Sequence, residues 1–203
     1  MNDDPDLAAL LCSRLCHDLI SPVGAVGNGM ELLLAEPDGD REEYGLIADS
    51  ARAAIAGLAF FRLAFGAAAA SSPPMGAAEV GRIVTAYFAN TRHAAGWPAS
   101  GAPLPRPHAK LILLMLLAAA TATPLGGRLE VPAIPDGLRP LRIDALGRRA
   151  ELRPDAEAMV TGADMRLPDA PRDAHLALLA RHAAAIGRRI AIERGEDRIS
   201  FSA

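Results

Sequence analysis

Aromatic residues make up only 4% of this 203-residue chain, although hydrophobic residues make up 51% and Ala is abundant. Small apolar side chains in that proportion favour packed helices. Lys and Arg do not outnumber the acids: the net charge is -3. That removes the electrostatic case for nucleic acid, whose binders are usually basic. No apolar run reaches the roughly 18 residues that span a bilayer; the longest, Leu111–Ala122, is too short. The first residues, MNDDPD, are acidic and lack the basic start of a signal peptide. A cytoplasmic location is expected. There are two cysteines, Cys12 and Cys16. Together with His17 they invite a zinc reading, but a structural zinc site usually takes four ligands. No further ligands are evident nearby, so no metal site is assigned, and two small buried thiols are expected.

What the chain does have is a long amphipathic stretch, Leu7 to Leu34. Leu7, Leu11, Leu15, Leu19, Val23, Val26, Met30 and Leu33 recur at steps of three and four, which predicts one apolar stripe on a helix. At about 100° per residue, His17 falls nearly opposite that stripe. Ser21, Gly24 and Asn28 follow it at four, seven and eleven residues. They make a low polar track along which another protein can approach the backbone. Each helical Gly costs roughly 1 kcal/mol relative to Ala, and an interior Pro such as Pro22 about 3. Tolerating them points to a purpose other than stability. Asp6 or Asp4, with Pro5, starts the helix, and Glu36–Asp40 is a turn.

A second helix is predicted from about Asp40 to Phe65, with Tyr44, Ile47, Ala51, Ile55, Leu58, Phe61 and Phe65 on its apolar face. The short linker makes the two helices antiparallel neighbours. Two helices cannot close a core alone. Either a second copy completes a four-helix bundle or later helices of the same chain cover the hairpin. Gly66–Met75 is a linker rich in small residues and Pro, which separates a domain over 1–70 from one over 76–203. The second domain is expected to hold helices at Ala77–Asn90, His108–Thr121, Pro154–Thr161 and Pro171–Ile186. Strands are expected at Arg128–Ile134, Leu138–Leu146 and Arg149–Leu152, with a hairpin over Arg189–Ser202. Arg92–Pro107 is expected to be a loop. The fold class is α+β: a helical hairpin followed by an α/β sandwich.

The segment His17-Asp18-Leu19-Ile20-Ser21-Pro22 resembles the phospho-acceptor box of sensor histidine kinases. The longer run LCSRLCHDLISPVGAVGNGMELL resembles the histidine phosphotransferases of the ChpT type. That resemblance implies a homodimeric four-helix bundle and a degenerate kinase ATPase-like second domain. It also implies a phosphoryl relay between receiver-domain aspartates, from a hybrid histidine kinase to response regulators, in an alphaproteobacterium. His17 is then the phosphoryl carrier. Mg²⁺ is expected on the partner receiver, and no cofactor on this chain.

The second domain departs from an active ATPase. The positions of the family's two metal-binding Asn residues fall on Leu114 and Ala118, or on Met115 and Ala119. No Asn occurs after Asn90. The Asp-x-Gly-x-Gly signature is missing, with Thr161–Asp164 at best a remnant, and a P-loop is absent. Mg²⁺ needs oxygen ligands beside the triphosphate, and apolar side chains supply none. The domain is expected to persist as a docking surface, or as support for the bundle. At His17 itself, a neutral imidazole nitrogen is a good nucleophile toward phosphorus. Asp18 is the candidate orienter or weak base, or else a solvated helix charge. Arg14 pairs with a phosphate oxygen or a receiver acid, or is solvated. Ser21 and Asn28 hydrogen-bond the partner or are simply small. Two other functions fit the same residues: a non-catalytic docking module that inhibits a two-component partner, and a divergent histidine kinase.

Overall fold

The computed structural model describes residues 6–35, 41–69, 71–134 and 140–203. The first expected helix is α1, Leu7–Ala35, and it continues through Pro22. Asp6 begins it: its carboxylate accepts a hydrogen bond from the Ala8 N–H at 3.2 Å, satisfying a donor that the first turn leaves open. Helix α2 runs over Arg41–Phe65 and packs along α1. Gly29 permits the close approach, since a Cβ there would lie 2.5 Å from the Ile47 side chain. The expected turn at Glu36–Asp40 and the alternative start at Asp4 and Pro5 lie outside the described residues.

After the linker come α3 (Ala77–Phe88), β1 (His93–Gly96), α4 (Arg106–Ala122), β2 (Gly127–Glu130), β3 (Arg142–Leu146), α5 (Pro154–Thr161), a 3₁₀ turn at Pro171–Asp173, α6 (Ala174–Ala185), β4 (Ala191–Gly195) and β5 (Arg198–Ser202). The five strands form one sheet in the order β1-β2-β3-β5-β4. Strand β1 lies parallel to β2, and the other pairs are antiparallel. Helix α4 is the centre of the molecule. It packs on β2, β3 and β5 on one side and meets α2 and α6 on the other. That explains its sequence: a helix covered all round must be apolar all round, and Leu111 to Leu116 are fully buried.

The hairpin and the sheet share one core. Phe60, Phe61 and Ala64 of α2 join the same buried cluster as α4 and the strands. The few aromatics concentrate at this junction. Phe60 stacks on Tyr87 at 4.1 Å and meets Phe88 edge to face, while Phe61 stacks on Phe65. Large rings placed there bury much area per residue where the two halves of the chain must hold together.

Five expectations need correction. The Arg92–Pro107 loop contains β1, a four-residue strand whose sequence, HAAG, carries little β signal and is held by its parallel pairing with β2. Arg149–Leu152 is not a strand. Arg149 takes φ 57°, which breaks extension, and the Ala150 N–H closes a turn on the Gly147 carbonyl. The strand expected over Leu138–Leu146 is confined to Arg142–Leu146, its first two expected residues lying outside the described ones. Cys12 and Cys16 are exposed rather than buried. They lie beside the packed face of α1, on the side that also carries the exposed Val23, Met30 and Leu34. On α2, Tyr44, Ile55 and Leu58 were expected inward and are more than half exposed. Periodicity located the apolar faces, but one chain has too few helices to cover them.

Candidate functional site

His17 stands on α1 facing away from the core, with 87% of its side chain exposed. Its Nδ1 lies 3.2 Å from Asp18 Oδ1. A carboxylate only accepts, so in the neutral ring this contact suits the tautomer with its proton on Nδ1, which leaves the Nε2 lone pair on the exposed side. The other Asp18 oxygen lies 3.5 Å from Arg14 Nε. These residues follow one another at the i, i+3 and i+4 spacings of a single helix face.

Arg14 is not a solvated charge: only 14% of its side chain is exposed. One of its terminal nitrogens donates to the Arg172 carbonyl and to His175 Nδ1, tying α1 to the start of α6. Its orientation is therefore fixed from within the chain, with Asp18 on one side and the second half on the other. Arg14, Asp18, Ser21 and Pro22 line an open groove of about 1110 Å³, with His17 on its rim. The far wall comes from α2, from Tyr87 in the last turn of α3 and from Asn90 in the turn between α3 and β1. Burial pushes the Tyr87 hydroxyl up to about 12, with Arg14 lowering it and Asp18 raising it to lesser degrees. It is a neutral wall of the groove at any physiological pH.

Gly24 and Asn28 lie further along α1, exposed and outside the groove. Nothing stands within 4 Å of where a Gly24 Cβ would be, so no packing inside the chain requires glycine there. Nothing local in the sequence marks Arg172, His175 or Thr121 as part of the site. His175 is fully buried between Arg14 and Thr121. More than 150 residues separate Arg14 from Arg172 and His175, and no local pattern marks such a contact.

The positions expected to carry ATPase asparagines hold fully buried apolar side chains: Leu114, Met115, Ala118 and Ala119 are all at 0% exposure. They fill the core rather than line a cavity. Asp164, in the remnant after α5, is engaged by Arg166, whose hydrogen bonds hold its carboxyl down at about 2. Among the described residues no group of His, Cys, Asp and Glu is arranged to hold a metal ion.

Residues 77–198 match the model of the histidine phosphotransferase C-terminal domain. Protein phosphotransferase ChpT of Brucella abortus (strain 2308) is 40% identical over 205 residues, which cover 98% of this chain and 95% of that protein. A bacterial phosphotransferase solved at 1.7 Å superposes with a TM-score of 0.80 at 35% identity, over 97% of this chain and 95% of the other. The chain belongs to the histidine phosphotransferase family and is a transferase of the phosphorelay type.

Proposed function

We propose that His17 carries the phosphoryl group, accepting it from an aspartyl phosphate on one receiver domain and passing it to the aspartate of another. The observation that carries this reading is the geometry of one side chain. His17 is almost fully exposed, its Nδ1–H is held by Asp18, and its Nε2 is free to attack in line. In the forward step the Nε2–P bond forms as the acyl P–O bond breaks. The receiver aspartate leaves as a carboxylate with the bonding electrons. Positive charge developing on the ring falls on Nδ1–H, against the Asp18 carboxylate. The transition state is loose, with charge over the equatorial oxygens. Mg²⁺ held by the receiver neutralises that charge, and this chain supplies a nucleophile on a rigid helix. ATP takes no part, because the positions that would hold its metal are core leucine, methionine and alanine.

The 1–70 hairpin is the dimerisation and transfer unit in this reading, and 76–203 a degenerate ATPase-like domain. A second copy covers Val23, Met30 and Leu34 of α1 with Tyr44, Ile55 and Leu58 of α2, forming a four-helix bundle in which Cys12 and Cys16 are also covered. By length and composition α1 is apolar enough to cross a membrane, and little of it is buried within one chain. Bundle formation accounts for that exposure while leaving Arg14, His17 and Asp18 on the polar side. In this reading the relay is alphaproteobacterial and cytoplasmic and runs between a hybrid kinase and response regulators; the Brucella relative, a protein phosphotransferase, supports the transfer itself. The partner lies along Ser21, Gly24 and Asn28 and enters the groove beside His17.

The test is transfer of label from a phosphorylated receiver domain to wild type and to His17→Ala, with ATP alone as control. Label on wild type only, and only from the receiver, supports the reading. Label from ATP makes the chain a kinase, and no label from several receivers leaves a docking module. Light scattering on wild type and on Ile55→Glu reads the dimer; a monomeric wild type removes the bundle.

A further inference from the structure

Arg14 faces Asp18 at the i, i+4 spacing, its Nε 3.5 Å from a carboxylate oxygen, while one of its terminal nitrogens is held by hydrogen bonds running into the second half of the chain. Its guanidinium can only donate. One terminal nitrogen spends its donors on the Arg172 carbonyl and on His175 Nδ1. His175 Nε2 lies 3.0 Å from Thr121 Oγ1, and Thr121 Oγ1 donates to the Leu117 carbonyl at 3.0 Å. A hydroxyl has a single proton, so Thr121 accepts from His175 Nε2–H. His175 Nδ1 is therefore a lone pair, as Arg14 requires. One terminal nitrogen of Arg14, His175 Nε2 and the Thr121 hydroxyl thus donate in turn to His175 Nδ1, Thr121 Oγ1 and the Leu117 carbonyl, while Arg14 Nε, the atom nearest Asp18, makes no hydrogen bond. His175 is completely buried, and burial together with the facing Arg14 charge holds its imidazole neutral, well below the usual range.

Resting on the reading of His17 and Asp18 given above, we propose that His175 and Thr121 are positioning residues for phosphotransfer. By fixing Arg14 they hold Asp18 where it keeps the His17 proton on Nδ1 and presents Nε2 to the receiver. The second half of the chain thus contributes to the chemistry without touching the phosphoryl group. This assigns the former ATPase side of the molecule a task beyond docking or support. A mere staple between the halves would need the contacts but not the direction of the hydrogen bonds.

The experiment uses the full-length protein as wild type, Thr121→Val, Thr121→Ser, His175→Leu, His175→Asn and His17→Ala. Thr121→Val keeps shape and removes the acceptor; His175→Asn keeps an acceptor near Nδ1. Long-range proton–nitrogen NMR reads the His17 tautomer. Rates are measured with a receiver domain charged on its aspartate by a small-molecule acyl phosphate, at low and saturating concentrations. Wild-type His17 is expected in the Nδ1–H form. Thr121→Val and His175→Leu are expected to shift it toward Nε2–H. Their maximal rate should fall on the order of tenfold, less than the roughly 100-fold or more that a positioned acid–base group itself contributes, because they act through Arg14 and Asp18. The receiver concentration giving half-maximal rate should not change. Thr121→Ser and His175→Asn are expected to recover most of the rate. If His175→Leu fails to fold, the isosteric Thr121→Val decides. A wild-type tautomer in Thr121→Val overturns the proposal, whether its rate is normal or reduced. Absence of transfer in wild type, or transfer to His17→Ala, overturns the reading of His17 instead, and the tautomer measurement stands apart from both.

Discussion

Replacing Gly24 by Ala should stabilise the fold and impair transfer, and the two effects have separate causes. Gly24 is an exposed residue in the interior of a helix, where Gly is about 0.8–1 kcal/mol less favourable than Ala. A methyl group there meets nothing within 4 Å, so no steric cost opposes the gain. A change of about 1 kcal/mol in a chain of this size moves the melting temperature by roughly 2–4 °C. The functional effect comes from the partner. Gly24 is seven residues beyond His17, which at 1.5 Å per residue places it about 10 Å along the same rod. A receiver seated with its aspartate at His17 covers that stretch. Gly24→Ala should raise the receiver concentration needed for half-maximal transfer a few-fold, and Gly24→Phe should nearly abolish transfer while leaving the fold intact. The assays are thermal unfolding and transfer at graded receiver concentrations. A lower melting temperature for Gly24→Ala would show that this face is packed against something. Wild-type transfer by Gly24→Phe would show that no partner lies on it.

Three further substitutions or conditions test the physical account. Asp18→Asn keeps an acceptor for His17 Nδ1–H but removes the charge that faces the developing imidazolium; transfer rate at saturating receiver should fall by about 10- to 100-fold, and an unchanged rate would make Asp18 a solvated helix charge. Gly81→Ala puts a Cβ 2.5 Å from the Trp97 ring; overpacking of this kind costs about 1–3 kcal/mol, and a variant that melts with wild type contradicts the contact. Acid should weaken the fold through buried histidines. His175, His108 and His182 are all held below their ordinary range in the folded chain, chiefly by burial. Below about pH 6.5 the unfolded chain binds protons that the folded chain does not. Their stabilising contribution is therefore complete above that pH and lost as pH falls below it, most for the fully buried His175 and less for His108 and His182, which solvent partly screens. Urea unfolding at pH 7.5, 6.5 and 5.5 should show the decline, and His175→Asn should flatten it.

The hairpin was legible because its signals are local. Apolar residues at steps of three and four fixed both helices, and the position of His17 opposite the stripe followed from the same arithmetic. Asp6 at the start of α1 and the apolar length of α4 were readable for similar reasons. Strand β1 was not, because HAAG has no alternation and owes its extension to pairing with residues more than thirty positions away. The exposure of Cys12, Tyr44 and Ile55 was also illegible: periodicity marks a face as apolar without saying which surface covers it. At the site, the roles of Arg14 and His175 depend on a contact between α1 and α6 that no spacing encodes. The phospho-acceptor turn is local, while what holds it in place is a property of the whole fold.

The most direct test of the account is the site of the phosphate. Wild-type protein charged by a phosphorylated receiver should be digested and fragmented under neutral or alkaline conditions that preserve phosphoramidates, with phosphorus NMR on the intact protein. The account predicts one phosphoryl group per chain, on Nε2 of His17. Phosphate on Nδ1 of His17, on another residue, or on none would contradict it.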